Sequence, residues 1–245
     1  MKVTVIGCWG GYPAAKEASS GYLLEHDGYK ILMDCGSGVL SHLQTYINPK
    51  ELNAVFISHF HPDHDADIGV YQHALLIDHM MGNEPVTVPI YSHAEDKPAA
   101  EKLNYKIYTK WMPVYEEKTI EVGPFKVTAM KTNHSVPCYA YRFEADGKVF
   151  AYTGDTSFKP GLIPFFRNAN VLLSECNFYE GMGAAERAGH LTSVQAAKIA
   201  VESQVDKLVL THLPHFGQLD DLVTQAEQIF DKEVCLAKAG LTINV

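Results

Sequence analysis

Ser58-His59-Phe60-His61-Pro62-Asp63-His64 follows directly on the apolar run Ala54-Val55-Phe56-Ile57. Three imidazoles and a carboxylate thus fall within six positions at the end of what reads as a buried strand. His59 and His61 alternate, so on extended backbone their side chains share one face. Asp63 and His64 then turn over to reach a second ion. Neutral imidazole and carboxylate suit zinc, and also manganese or iron. A solvated His/Asp loop with adventitious metal affinity is the alternative, and donors elsewhere in the chain decide between the two.

Such donors are present. Thr132-Asn133-His134-Ser135 follows one β run and Tyr152-Thr153-Gly154-Asp155-Thr156 ends another. Leu210-Thr211-His212-Leu213 ends the apolar strand Val209–Leu210. Each polar group stands where a strand leaves its sheet, the usual place for sites in α/β folds. A single histidine so placed is as easily a plain surface or core residue; three such elements beside the first stretch favour a metal centre.

Around these points the chain alternates strand and helix signals, the pattern of a layered α/β domain. Residues 3–7, 21–25 and 29–34 read as strands, the last two joined by a turn at His26-Asp27-Gly28. Residues 36–47 and 68–81 carry helical spacing; the second is also the candidate face for a homodimer. The spacing predicts a strand at 86–91, a helix at 94–103 and a short strand at 105–108. A second series runs 119–122, 125–132, 138–144 and 148–153, the last two joined at Ala145-Asp146-Gly147. Strands at 171–174 and 208–211, helices at 196–202 and 221–230 and a closing strand at 241–245 complete the pattern. Thr192-Ser193-Val194-Gln195 has capping-box form ahead of the first of those helices. The two halves echo one another, which suggests two sheets packed face to face with helices outside, in one domain over residues 1–245.

With 47% hydrophobic and 20% charged residues, the chain can bury a substantial core. No window approaches the length of apolar sequence a membrane helix needs. Residues 1–7 alternate like a strand and lack the apolar core of a signal peptide. Cys8, Cys35, Cys138, Cys176 and Cys235 are odd in number and scattered, pointing to reduced thiols and a cytoplasmic location. Net charge is −9 and the only arginines are Arg142, Arg167 and Arg187. Nucleic-acid binders draw affinity from Lys and Arg on phosphate, so a large nucleic acid is not the expected partner.

With these motifs in hand the chain resembles the metallo-β-lactamase superfamily over nearly its whole length, which implies a four-layer αββα sandwich. Carried over position by position, the resemblance implies that His59, His61 and His134 hold one divalent ion. Asp63, His64 and His212 would hold a second, with Asp155 bridging both. The Asp34-Cys35-Gly36 turn matches an early Asp motif that supports the ligand loop from behind, whereas Asp65 and Asp67 read as outer or solvated carboxylates. The flavo-di-iron relatives carry Glu where His61 stands, and the true β-lactamases carry Cys where Asp155 stands. Redox and β-lactam chemistry therefore fall away.

Leu173-Ser174-Glu175-Cys176 and Gly189-His190-Leu191-Thr192-Ser193 resemble the Glu and His motifs of ribonuclease Z and its phosphodiesterase relatives. The resemblance implies that His190 is the proton donor to the leaving oxygen and Glu175 its partner, so that Asp63, Glu175 and His190 form the expected catalytic set. A metal-bound hydroxide would be the nucleophile, since zinc lowers the pKa of bound water to about 7. The tRNA-processing enzymes insert a long arm between the ligands equivalent to His134 and Asp155. Only 20 residues (135–154) intervene here, and Pro214-His215-Phe216 replaces their Ser-Arg-Tyr. The expectation is a hydrolase of small phosphodiesters or nucleotides holding two divalent ions, zinc foremost. A tRNA 3′-endonuclease, a lactonase, thioesterase or arylsulfatase, and a metal-stabilised binding protein are the alternatives. Trp9 and Tyr12 of the loop Gly7-Cys8-Trp9-Gly10-Gly11-Tyr12-Pro13 are candidates to stack on a base or ring, though the glycines alone read more simply as a tight turn.

Overall fold

The computed structural model describes residues 1–245. The first six strands are β1 (Lys2–Gly7), β2 (Gly21–His26), β3 (Tyr29–Met33), β4 (Ala54–Phe56), β5 (Val88–His93) and β6 (Thr109–Val114). The next seven are β7 (Thr119–Val122), β8 (Phe125–Lys131), β9 (Tyr139–Ala145), β10 (Lys148–Tyr152), β11 (Val171–Glu175), β12 (Lys207–Thr211) and β13 (Glu233–Leu236). β14 (Thr242–Asn244) returns to the first sheet, whose order is β14-β1-β2-β3-β4-β5-β6; the second is β13-β12-β11-β10-β9-β8-β7. Within each sheet three antiparallel pairings give way to three parallel ones. The internal echo in the sequence is therefore a repeated topology, with β14 taking the place in the first sheet that β7 has in the second.

Alternation explains the layers. Val3, Val5, Tyr22, Leu24, Ile31, Met33 and Phe56 point inward and meet Val127, Tyr141, Phe143 and Phe150 of the second sheet. Ile6, Leu23, Leu32, Val55 and Ile90 point outward and are covered by α1 (Val39–Leu43) and α3 (Ile68–Met80). Between those two helices lies α2 (Pro62–Asp65), and after them α4 (Lys97–Glu101). On the far side come α5 (Leu162–Phe165), α6 (Ala185–Ala188), α7 (Ser193–Glu202) and α8 (Leu219–Glu227). α7 lies on β11 and β12, and α8 on β13. The result is the four-layer αββα sandwich. Both hairpin turns form with the two positive φ angles of a tight type I′ turn, Asp27-Gly28 at 48° and 78° and Asp146-Gly147 at 50° and 71°. The capping box forms as expected: Thr192 Oγ1 accepts from Gln195 N at 3.2 Å and Gln195 Oε1 accepts from Thr192 N at 3.0 Å.

Several elements differ from their periodicity. The helix expected over 36–47 is only Val39–Leu43, because residues 35–37 are tied to other strands and loops: Cys35 N donates to His64 O and Gly36 N to Ser20 O. The helix at 94–103 shrinks to Lys97–Glu101, starting where the Asp96 carboxylate accepts from Ala99 N. Residues 105–108 form a turn rather than a strand, and the strand is β6, whose Pro113 is tolerated because β6 is a sheet edge. An edge strand of the second sheet, β13, is short and half-buried and escapes the periodicity altogether.

Candidate metal centre

All seven donors converge at one end of the sandwich, where β4, β8, β10 and β12 leave their sheets. The loop after β4 supplies His59 and His61. Pro62 at the first position of α2 stops the extended run and coils Asp63 and His64 inward. The ends of β8, β10 and β12 supply His134, Asp155 and His212. Two groups result, His59–His61–His134–Asp155 and Asp63–His64–Asp155–His212, sharing Asp155.

The spacing of the donors tests whether a cation fits. Asp155 Oδ2 lies 3.7 Å from His59 Nε2, 3.4 Å from His64 Nε2, 3.8 Å from His134 Nε2 and 3.3 Å from His212 Nε2. His61 enters through Nδ1, 3.0 Å from His59 Nε2 and 3.2 Å from His134 Nε2. Donors held tetrahedrally at about 2.1 Å from an ion stand about 3.4 Å apart. Moreover, His64 Nε2 and Asp155 Oδ1 are buried with no hydrogen-bond partner. Buried polar atoms are costly without a partner, so both atoms fit as cation ligands.

Outer contacts aim these rings. His64 Nδ1 donates to Asp34 Oδ2 at 2.7 Å and His134 Nδ1 to Gly189 O at 2.9 Å, which leaves each Nε2 lone pair facing the centre. Asp34 also accepts from Ser58 N at 2.7 Å, Ser58 Oγ at 2.8 Å and Tyr152 O–H at 2.8 Å. The expected support from behind the ligand loop is thus present, and Tyr152 adds a link across the two sheets. His212 has a φ of 52°, a conformation that costs a non-glycine residue about 1–3 kcal/mol, and Asn177 Nδ2 fixes it by donating to its carbonyl at 3.0 Å. Gly10 has to be glycine, since a Cβ there would meet Asn177 Nδ2 at 2.5 Å and the His212 ring at 2.7 Å. Its neighbour Gly11 donates its N–H to Asp63 Oδ2 at 2.6 Å.

Charge follows burial and neighbours. Burial opposes charge on Asp155, but His212 and His64 outweigh it and hold the carboxyl well below its ordinary range. Burial likewise opposes charge on Asp63, and hydrogen bonds from His212 and His64 keep it ionised. Burial pushes His59 well down, so it is neutral and able to ligate. Asp67 accepts from Leu40 N at 2.9 Å, and Asp65 is pushed up to about 6, mainly by burial; neither reaches the cluster.

Glu175 and His190 stand beside this centre. Glu175 is fully buried at the end of β11, and its Oε1 accepts from Thr156 N at 2.9 Å and from His190 Nδ1 at 3.0 Å. The His190 ring lies on that of His212, centroids 5.1 Å apart, with Nδ1 4.0 Å from Asp155 Oδ2. Burial lowers the His190 pKa, but the Glu175 charge and hydrogen bond outweigh it and raise it to about 9. Both residues open onto, or back, a cavity of about 410 Å³ lined by His61, Asp63, His134, Asp155, His190 and His212 together with Tyr12, Asn177, His215 and Phe216. Asn177, Gly11 N–H and the Gly189 carbonyl escape sequence reasoning. Asn177 lies two positions past Glu175 and could have been found there, whereas the other two act through backbone. Trp9 is not a free stacking surface: its indole N–H bonds Glu17 and its ring packs on His215 at 4.8 Å.

The beta-lactamase superfamily domain matches residues 29–213. The chain belongs to the metallo-β-lactamase superfamily, and fold and donor set together define a metallo-hydrolase with His/Asp clusters for divalent metal. It is 46% identical to the probable metallo-hydrolase YhfI of Bacillus subtilis over 98% of either chain. The crystal structure of that metallo-beta-lactamase fold protein superposes with a TM-score of 0.97 at 45% identity, covering 99% of this chain and 98% of the other. A ribonuclease Z of Methanopyrus kandleri is 26% identical over 98% of this chain and 96% of its own. A diphosphatase of the PhnP family shares the fold at a TM-score of 0.78 and 18% identity, covering 100% of this chain and 97% of its own.

Proposed function

We propose that the protein is a dinuclear phosphodiesterase acting on small phosphodiesters or nucleotides. The observation that carries this is the Glu175–His190 pair, 3.0 Å apart and packed on the metal ligand His212. Hydrolysis of an ester or lactone needs the metal donors; a poor alkoxide leaving group on phosphorus also needs a placed acid. In this reading His59, His61 and His134 would hold one ion and Asp63, His64 and His212 the other, with Asp155 shared between them. Bound there, two divalent cations, zinc foremost, supply an activated water and neutralise charge developing on phosphate.

The chain's own residues do the rest. Asp63, more exposed than Asp155 (8% against 2%), faces the cavity and orients the attacking water. Glu175 holds His190 through Nδ1, leaving Nε2 to meet the leaving oxygen. As the water oxygen bonds to phosphorus and the P–O bond breaks, the His190 proton passes to the departing oxygen. Tertiary elements set the size of the substrate: β9 and β10 with their Asp146-Gly147 turn fill the interval where a tRNA-gripping arm would be inserted. No helix is long and apolar enough to cross a membrane. Scattered free cysteines support a cytoplasmic location, and one hydrophobic core drawn from both sheets supports a single domain over residues 1–245. Val70, Ile77 and Met80 stand exposed on α3 and offer the face for a homodimer.

The test is turnover of bis(p-nitrophenyl) phosphate and of cyclic nucleotides, with and without chelator. Chelator-sensitive cleavage of a diester is expected. No such turnover on any diester, with a lactone, thioester or aryl sulfate cleaved instead, would overturn the reading; cleavage of precursor tRNA would redirect it to 3′ processing.

A further inference from the structure

We propose that Tyr12 is a stacking platform for a planar ring on the substrate, in a site built for a single phosphate. The inference rests on the phosphodiester reading for its substrate class. Three rings form a ladder at the cavity mouth. His215 lies between Trp9, at 4.8 Å and 17°, and Tyr12, at 3.8 Å and 6°. Tyr12 ends the ladder, 62% exposed, and lines the same cavity as the metal donors. One face of the Tyr12 ring is stacked on His215 and the ring is otherwise open in the cavity wall, where a planar group can stack on it.

Tyr12 is also held still. His215 Nε2 donates to the Tyr12 carbonyl at 2.7 Å, Tyr12 N donates to Gly10 O at 2.9 Å, and Pro13 follows. Trp9, at the base of the ladder, is tethered through Glu17. A ring landing on Tyr12 therefore meets a surface whose freedom is already lost, which favours binding. Phe216, 42% exposed, stands on the same rim and adds a second apolar edge.

Charge narrows the ligand further. No residue lining the cavity is lysine or arginine. One phosphate would be met by bound cations and His190, but a second would find no lysine or arginine in the cavity wall to balance its charge. The ligand class is thus a mononucleotide or aryl phosphodiester, not a polyphosphate.

Calorimetry on the metal-loaded protein tests this with AMP, ADP and ribose 5-phosphate. AMP is expected to bind about 10-fold more tightly than ribose 5-phosphate, the scale of one base stacked on one aromatic side chain. Tyr12→Ala should bring that ratio close to unity and Tyr12→Phe should keep it. Equal binding of AMP and ribose 5-phosphate, or a ratio unchanged in Tyr12→Ala, overturns the platform. ADP binding more tightly than AMP overturns the single-phosphate part. KM for bis(p-nitrophenyl) phosphate relative to methyl p-nitrophenyl phosphate should rise in Tyr12→Ala as the binding ratio falls. Absence of all diester turnover with the AMP preference intact would sink the diester reading and leave the platform standing.

Discussion

Glu175 pairs with Thr211 in the parallel ladder between β11 and β12, so the carboxylate behind His190 and the donor His212 leave adjacent strands side by side. The register of one ladder thereby fixes the proposed acid against the proposed metal centre. It also separates their roles, because Glu175 bonds His190 and not the shared donor Asp155.

His190→Ala should lower kcat about 10²–10⁴-fold while bound metal, measured by elemental analysis, stays near the wild-type value. The loss should be smaller for p-nitrophenyl than for alkyl leaving groups, since a stable phenolate departs without a proton. Loss of metal in this variant would make His190 a ligand instead.

An acid works while protonated, so activity is lost as pH rises through the His190 pKa. Glu175 raises that pKa to about 9, and cations nearby push an imidazolium down. The basic limb of the kcat/KM profile should therefore lie at or below about pH 9. Glu175→Gln should move it to lower pH; a limb that does not move would show that Glu175 does not tune His190.

Asp155 is shared by both clusters, so Asp155→Ala should remove more metal than His61→Ala, whose ring is only partly buried and belongs to one cluster. Chelation of the wild-type protein should lower its Tm, because a ligand bound only by the folded state stabilises it. An unchanged Tm after verified metal removal would contradict this.

Asp34→Ala strands Ser58 N–H, Tyr152 O–H and His64 Nδ1 in the interior. Each buried group left unpaired costs about 1–3 kcal/mol, so a loss of roughly 3 kcal/mol or more is expected, with weaker metal retention. Thermal or denaturant unfolding measures it. A variant as stable as wild type would mean that water replaces the carboxylate.

Gly189→Ala should disturb the first cluster specifically. A Cβ there would stand 2.8 Å from His134 Nδ1, on backbone with φ of 79°. Lower metal occupancy with the far-ultraviolet spectrum unchanged is the expected result.

The donors are legible in the sequence because they follow apolar strands, with Asp63 and His64 in the turn of α2 just beyond His59 and His61, and β4, β8, β10 and β12 are clear from their composition. The edges are not. β6 carries Lys110 and Pro113, which a central strand would reject and an edge accepts. Periodicity overextends the helices at 39 and 97 because it cannot see that Cys35 and Gly36 are claimed by partners elsewhere or that Asp96 caps the second helix. The centre's backbone contacts, from Gly11 and Gly189, leave no compositional trace. Trp9 looked available for a ligand because its neighbour His215 lies more than 200 positions away in the chain.

The repeated topology has a consequence for biogenesis. His59, His61, Asp63 and His64 come from the half built on the first sheet, and His134, Asp155 and His212 from the half built on the second. Neither half emerging from the ribosome carries a whole coordination sphere. On the proposed dinuclear reading, the first donor cluster is complete only once the chain has reached Asp155 and the second only once it has reached His212, so both wait for strands of the second sheet.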